Sequence, residues 1–254
     1  MKRLVIKVGS SVLTHENDIA KERMLNLVQL VARLQKEYDV VLVTSGAVSA
    51  GYYALKLDKR KQIGKKSLAA AGQPILMSAY KRMFDIYDID TAQILLTEDD
   101  FDSTKRTKMF RDIIDALLDN EILPIVNEND ISSTPEQLFG DNDQLSANVT
   151  HALDSEMLVI LSDIDGYYDK NPKKEKDAKL YKSVHTLSKA ALTAEVTPNS
   201  EFATGGIVTK LKAASYLIKR GRKMFLCNGF DLSAAESMFI DKKQTLGTLF
   251  EPKK

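Results

Sequence analysis

Short β-branched apolar runs alternate along this chain with stretches whose apolar residues recur at helical spacing, and the alternation predicts strands and helices in turn. Leu4, Val5, Ile6 and Val8 make the first run, as expected of a strand buried on both faces, with Lys7 inside it. Leu27, Leu30, Val31 and Leu34 then share one helix face, with Asp18 placed to cap the helix and Tyr38 near its end. A second strand over 39–44 runs into Ser45, Gly46 and Ala47. Small and apolar residues over 67–87 predict helix with a break at Gly72 and Pro74. Strand over 91–96, amphipathic helix over 104–118 and strand over 122–126 follow, Pro124 arguing against a regular ladder. Beyond a helix through Leu153 the pattern predicts strand over 156–161, an exposed loop over 170–177 and, after a turn in 204–210, a helix continuing through Leu211, Leu217 and Ile218. Strand over 223–227, helix over 232–238 and a short strand over 247–250 close the chain.

Repeated strand, glycine turn and helix implies an α/β fold with parallel strands joined by crossovers. Ligands of such sheets collect beyond the carboxyl ends of the strands, so Gly9 and Gly46 are expected to border one crevice. A length of 254 residues suits a single domain with a substantial core. A net charge of +1 gives no sign of a nucleic-acid partner, and no apolar run reaches membrane-spanning length. The lone Cys227 lies in an apolar run and excludes an internal disulfide, and the N-terminus lacks a small-residue cleavage site, so a cytoplasmic enzyme is expected.

Two stretches carry the candidate chemistry. The first is Lys7, Gly9, Ser10 and Ser11: a strand lysine beside exposed turn amides suits a phosphate, although an edge-strand lysine reaching to water has the same pattern. The second is Asn127, Glu128, Asn129 and Asp130 with Gly140, Asp141, Asn142 and Asp143. Such a group can hold a metal, a substrate ammonium or a lysine, and Asp141 to Asp143 can equally cap the following helix. The spacing is not that of an EF-hand. Thr204, Gly205, Gly206, Ile207, Val208, Thr209 and Lys210 resemble a phosphate turn entering a helix, without the Walker A spacing, and no G-x-G-x-x-G follows a strand. His15, His151 and His185 lack zinc-ligand spacing and are read as structural or surface residues. The basic residues of 58–61 with Lys65 and Lys66 read as solvated surface.

Taken in order, 5–11, 43–47, 127–130, 140–143 and 204–210 resemble the glutamate 5-kinase branch of the amino acid kinase family, over essentially the whole chain. Gly9 is followed by Ser10 and Ser11, where relatives acting on N-acetylglutamate, aspartate or UMP carry adjacent glycines. The resemblance implies a three-layer αβα sandwich with a mainly parallel central sheet, one domain over 1–254 with a glutamate side and an ATP side. It also implies ATP-dependent phosphorylation of L-glutamate in proline biosynthesis, with Mg2+ accompanying the nucleotide. Many members carry a C-terminal PUA domain, and the resemblance over 2–250 leads to the expectation of none in this chain. The resemblance makes Lys7, Lys210 and Asp143 catalytic, and assigns Ser45, Asp130 and Asn142 to glutamate. It assigns Lys7, Gly9, Ser10, Ser162, Asp163 and 204–210 to ATP. It further implies a homo-oligomer and L-proline as feedback inhibitor.

Overall fold

The computed structural model describes residues 1–15, 18–55, 61–132, 142–172, 174–193 and 206–253. The strands are β1 (Lys2–Val8), β2 (Thr14–His15), β3 (Asp18–Ile19), β4 (Tyr38–Val43), β5 (Thr91–Leu96), β6 (Leu123–Glu128), β7 (Met157–Ser162), β8 (Ser183–Val184), β9 (Lys223–Asn228) and β10 (Thr248–Phe250). The helices are α1 (Ser10–Leu13), α2 (Lys21–Leu34), α3 (Ala47–Leu55), α4 (Gln62–Phe84), α5 (Thr104–Asp119), α6 (Asn142–Ala152), α7 (Lys189–Thr193), α8 (Ile207–Ile218) and α9 (Ser233–Phe239). Among the described residues, eight strands form one sheet in the order β5-β6-β4-β1-β7-β9-β10-β8. Every pair from β5 to β9 is parallel, and β10 turns antiparallel against β9.

Strand parity distributes the core. Leu4, Ile6 and Val8 of β1 face one layer, packed with Leu27 and Val31 of α2, Tyr80 and Phe84 of α4, and Phe239 of α9. Val5, Val41 and Val43 face the other, packed with Ile114 of α5, Leu145 and Val149 of α6, and Leu211 and Leu217 of α8. The molecule is thus the three-layer αβα sandwich with a mainly parallel sheet. Each fully buried aliphatic side chain contributes about 1.5–3 kcal/mol. Lys7 has the parity of Val5, so its ammonium is sent toward α6 and α8.

Local signals gave way to tertiary ones at three places. The break expected at Gly72 and Pro74 is absent, since α4 runs unbroken from Gln62 to Phe84. Gly72 serves a close helix crossing instead: a Cβ there would stand 1.7 Å from the Ala47 carbonyl oxygen, and one at Gly51 would stand 1.8 Å from that of Leu68. Pro74 deprives the Ala70 carbonyl of its helical donor, but both residues are exposed and solvent can satisfy it. Gly72→Ala is therefore expected to destabilise by about 1–3 kcal/mol or more, read as a Tm fall of roughly 2–4 °C per kcal/mol. An unchanged Tm would contradict so close a crossing.

Asp18 does not cap α2. It lies in β3, where its carboxylate accepts the Ile19 N–H at 2.7 Å, and α2 begins three residues later behind Ala20. Pro124 sits inside β6 without breaking the ladder. The Leu123 N–H points to β5, donating to the Asp90 carbonyl at 2.8 Å, so the next nitrogen faces β4, where pairing starts only at Ile125.

Candidate active site

The chain passes from β1 to β4 on one side, and reaches β7 on the other only after returning from β6 through α6. The carboxyl ends of β4, β1 and β7 consequently flank the point where strand order reverses, the position at which open α/β sheets bind ligands. Gly9 ends β1 with its N–H on the Leu161 carbonyl at 3.1 Å, and Ser10 and Ser11 open the short helix α1. Thr44, Ser45 and Gly46 end β4. Gly46 has a φ of +99°, a left-handed conformation that favours glycine. The Thr44 hydroxyl is anchored 2.9 Å from that of Tyr80.

The first residues of α6 meet both strand ends. Asp143 is fully buried, and Lys7 and Lys210 are each 4% exposed. Lys7 Nζ donates to Asp143 Oδ1 at 2.5 Å and Lys210 Nζ to Oδ2 at 3.1 Å, while the Thr209 hydroxyl donates to Oδ2 at 2.9 Å. Burial by itself would raise the Asp143 pKa, but Lys210 and Lys7 together hold it well below the usual carboxylate range. Two ammonium groups and one carboxylate sum to one net positive charge. Buried charges are costly and seldom add net stability, so such a triad points to function. Phosphate oxygens arriving here would meet cations already held in place.

Asn142 organises the neighbouring corner. Its Nδ2 lies 2.6 Å from the Thr44 carbonyl oxygen, 3.0 Å from Ser45 Oγ and 2.8 Å from Asn127 Oδ1. Asp130 stands past the end of β6, half-buried; burial raises its carboxyl pKa, and Lys65 and Lys66 oppose the rise. Of the basic stretch read as solvated surface, 58–60 lie outside the described residues and Lys65 and Lys66 are part-exposed; Lys66 Nζ donates to the Ile131 carbonyl at 2.9 Å, beside Asp130.

On β7, the buried Ser162 hydroxyl donates to Asp163 Oδ1 at 3.1 Å, and the Ser162 carbonyl accepts the Gly229 N–H. Gly206 precedes α8 in an extended conformation, Ile207 is on the surface and Val208 is buried. Thr204, Gly205, Gly140 and Asp141 lie outside the described residues. The structure thus brings Lys7, Asp143, Thr209 and Lys210 into one contact group and Ser45 and Asn142 into a second, adjoining through α6. Sequence reasoning passed over Thr44, Gln73 and the contact made by Asn127; a glutamine between Gly72 and Pro74 was the available sign.

The Asp143 carboxylate does not fit a magnesium ion, because both its oxygens receive ammonium donors. The described residues contain no group of three or more His, Cys, Asp or Glu side chains able to hold a metal. No helix among them is long and apolar enough to cross a membrane.

Comparison with known proteins agrees with this geometry. The model of the amino acid kinase family matches residues 2–228. Glutamate 5-kinase of Wolinella succinogenes is 52% identical over 255 residues, with 98% of each chain covered. Glutamate 5-kinase of Leishmania donovani is 48% identical, covering 98% of this chain and 95% of the relative. In fold alone, the chain is similar to isopentenyl phosphate kinase of T. acidophilum (TM-score 0.67, 17% identity, 97% of this chain and 99% of that one). It is likewise similar to UMP kinase of Ureaplasma parvum (TM-score 0.66, 17% identity, 98% of each). A strand lysine and a helix lysine meeting on one buried carboxylate, at the reversal point of a sheet shared with such kinases, agree with the family match: the chain belongs to the amino acid kinase family.

Proposed function

We propose that the chain transfers the γ-phosphoryl group of ATP to the side-chain carboxylate of L-glutamate, forming L-glutamyl 5-phosphate, the first step of proline biosynthesis. The observation that carries this reading is the pair of lysines, more than 200 residues apart in sequence, on the two oxygens of Asp143. The similarity to glutamate 5-kinases supports the choice of acceptor.

A glutamate carboxylate, with a reference pKa of about 4.3, is ionised at neutral pH and needs no general base. One of its oxygens bonds to the γ-phosphorus as the bond to the bridging oxygen breaks, and ADP leaves with that electron pair. The obstacle is repulsion between anions. Lys7 and Lys210 counter it by neutralising charge on the transferring group and the leaving oxygen, while Asp143 keeps both aligned. The Gly9 N–H is spent on Leu161, so the Ser10–Ser11 turn donates the amides to phosphate. By resemblance, Thr204 and Gly205, outside the described residues, belong to the nucleotide side with Gly206, Ile207, Val208, Ser162 and Asp163. Magnesium would accompany ATP and supply further neutralisation of its phosphate charge, with no described residue assigned to hold it. One domain spans 1–254, its first part forming mainly the glutamate side and its second the ATP side. Feedback by L-proline, a homo-oligomer and a cytoplasmic setting belong to the same reading, supported by resemblance alone.

Ser45 faces a carboxylate of glutamate, Asn142 borders the same corner and orients Ser45, and Asp130 faces the ammonium. Asp130→Ala is expected to weaken glutamate half-saturation by about 1.5–3 kcal/mol, the worth of a hydrogen bond to a charged group, with kcat much less affected. Only ionised Asp130 pairs with the ammonium, and its pKa is raised. Glutamate half-saturation of the unaltered chain should therefore worsen as pH falls, beginning at a higher pH than for an ordinary aspartate. An unchanged half-saturation in the variant contradicts the assignment.

ADP release measured across glutamate, aspartate, N-acetylglutamate and UMP, with hydroxylamine trapping of the acyl phosphate, tests the reaction itself. Hydroxamate formed in step with ADP on glutamate is the expected result. Preference for any other acceptor, or ATP binding without acceptor-dependent ADP release, overturns the reading.

A further inference from the structure

A line of side-chain amides runs from the acceptor corner to the edge of the sheet. Asn142 Nδ2 on α6 donates to Asn127 Oδ1 on β6 at 2.8 Å, Asn127 Nδ2 to Gln73 Oε1 on α4 at 2.8 Å, and Gln73 Nε2 to Gln93 Oε1 on β5 at 3.2 Å. Its direction is set at the inner end. The Thr44 carbonyl, 2.6 Å from Asn142 Nδ2, can only accept, so the Asn142 nitrogen must face it. Each amide outward must then present oxygen inward and nitrogen outward; one reversal would set oxygen against oxygen or nitrogen against nitrogen.

Asn127 is 2% exposed, and turning it over would leave buried polar atoms unsatisfied. Gln73 is held from behind, because the crossing at Gly72 fixes the distance of α4 from α3. At the inner end, Asn142 has two N–H groups for three acceptors. One of the two is therefore shared, and because Ser45 Oγ accepts there at 3.0 Å its lone pair, not its proton, is spent on Asn142. The Ser45 hydroxyl accordingly keeps its own proton for a carboxylate.

We propose that Gln73 is a positioning residue for the acceptor substrate: by accepting from Asn127 it fixes the Asn127 and Asn142 amides, and through them the donor role of Ser45. The inference rests on the reading that Ser45, oriented by Asn142, meets the acceptor carboxylate, and it adds a residue on a third element that touches neither substrate.

The test is steady-state kinetics of Gln73→Leu, Gln73→Glu and Gln73→Lys, with KM read on whichever acceptor of the four-compound panel the unaltered chain turns over best. Glutamate at position 73 still accepts from Asn127, and exposed Gln93 can turn its nitrogen inward to meet it. Lysine presents a donor where an acceptor is required, and leucine presents neither. Gln73→Leu and Gln73→Lys should raise acceptor KM about tenfold or more, with ATP KM within about twofold, while Gln73→Glu stays within about threefold of the unaltered chain. If Gln73→Leu fails to fold, the contrast between the two charged variants decides. Equal damage from Gln73→Glu and Gln73→Lys, or an unchanged acceptor KM in all three, overturns the proposal. Absence of glutamate turnover in the unaltered chain would instead count against the proposed acceptor, leaving the relay to be judged on the acceptor that is used.

Discussion

Lys210→Ala is expected to lower turnover by about 2–4 kcal/mol, roughly thirtyfold to a thousandfold, as for loss of one preorganised donor to a developing anion. The fold should survive. Asp143 would keep Lys7 at 2.5 Å and Thr209 at 2.9 Å, so the substitution leaves a paired carboxylate rather than a stranded one. The loss should appear in kcat for saturating ATP and glutamate, with a thermal melt close to that of the unaltered chain. Near-normal turnover in a folded variant would remove Lys210 from the mechanism.

Asp143→Ala should do the opposite kind of damage. Both ammonium groups would remain in a buried site without their shared carboxylate, a change expected to cost about 3–5 kcal/mol of stability. At roughly 2–4 °C per kcal/mol this is a Tm fall of about 6–20 °C, and turnover should collapse as both lysines lose their alignment. The pH dependence has a defined sign. Because the folded-state pKa of Asp143 is depressed, its contribution is present above the unfolded-state carboxylate range and is lost as pH falls through the lower, folded value. The penalty should therefore be constant through neutral pH and shrink only in strong acid. A variant as stable as the unaltered chain would show that the triad does not hold this corner together.

Much of the sheet was legible because its strands are buried on both faces and read as apolar runs, unbroken at 40–43 and 157–161 and interrupted at 4–8 by Lys7 alone. The lysine in the first run was legible as an exception to that rule, and its burial on Asp143 at α6 rules out the alternative of an edge lysine reaching to water. What local reasoning missed was set by distant chain. Gly72 and Pro74 break helices by propensity, yet the close crossing with Ala47 and Gly51 requires the glycine and solvent tolerates the proline. Asp143 could be read as a helix cap or as an ion-pair partner, and only the arrival of Lys210 on α8 decides between them. Gln73 lies 54 residues from Asn127, a separation from which no periodicity could reveal a hydrogen bond. Lys66 was lost among neighbouring charges for the same reason.

The most direct test of two lysines acting on a phosphoryl group in flight is the affinity for ADP with aluminium fluoride, in the presence of glutamate, set beside the affinity for ATP. Interactions made mainly in the transition state should be felt by its analogue far more than by the ground state. Lys210→Ala is predicted to lose analogue affinity by about the same factor as it loses kcat, with ATP binding much less changed. A variant whose ATP affinity falls as far as its turnover, with analogue binding weakened no further, would show a lysine that merely holds the nucleotide and would contradict the account.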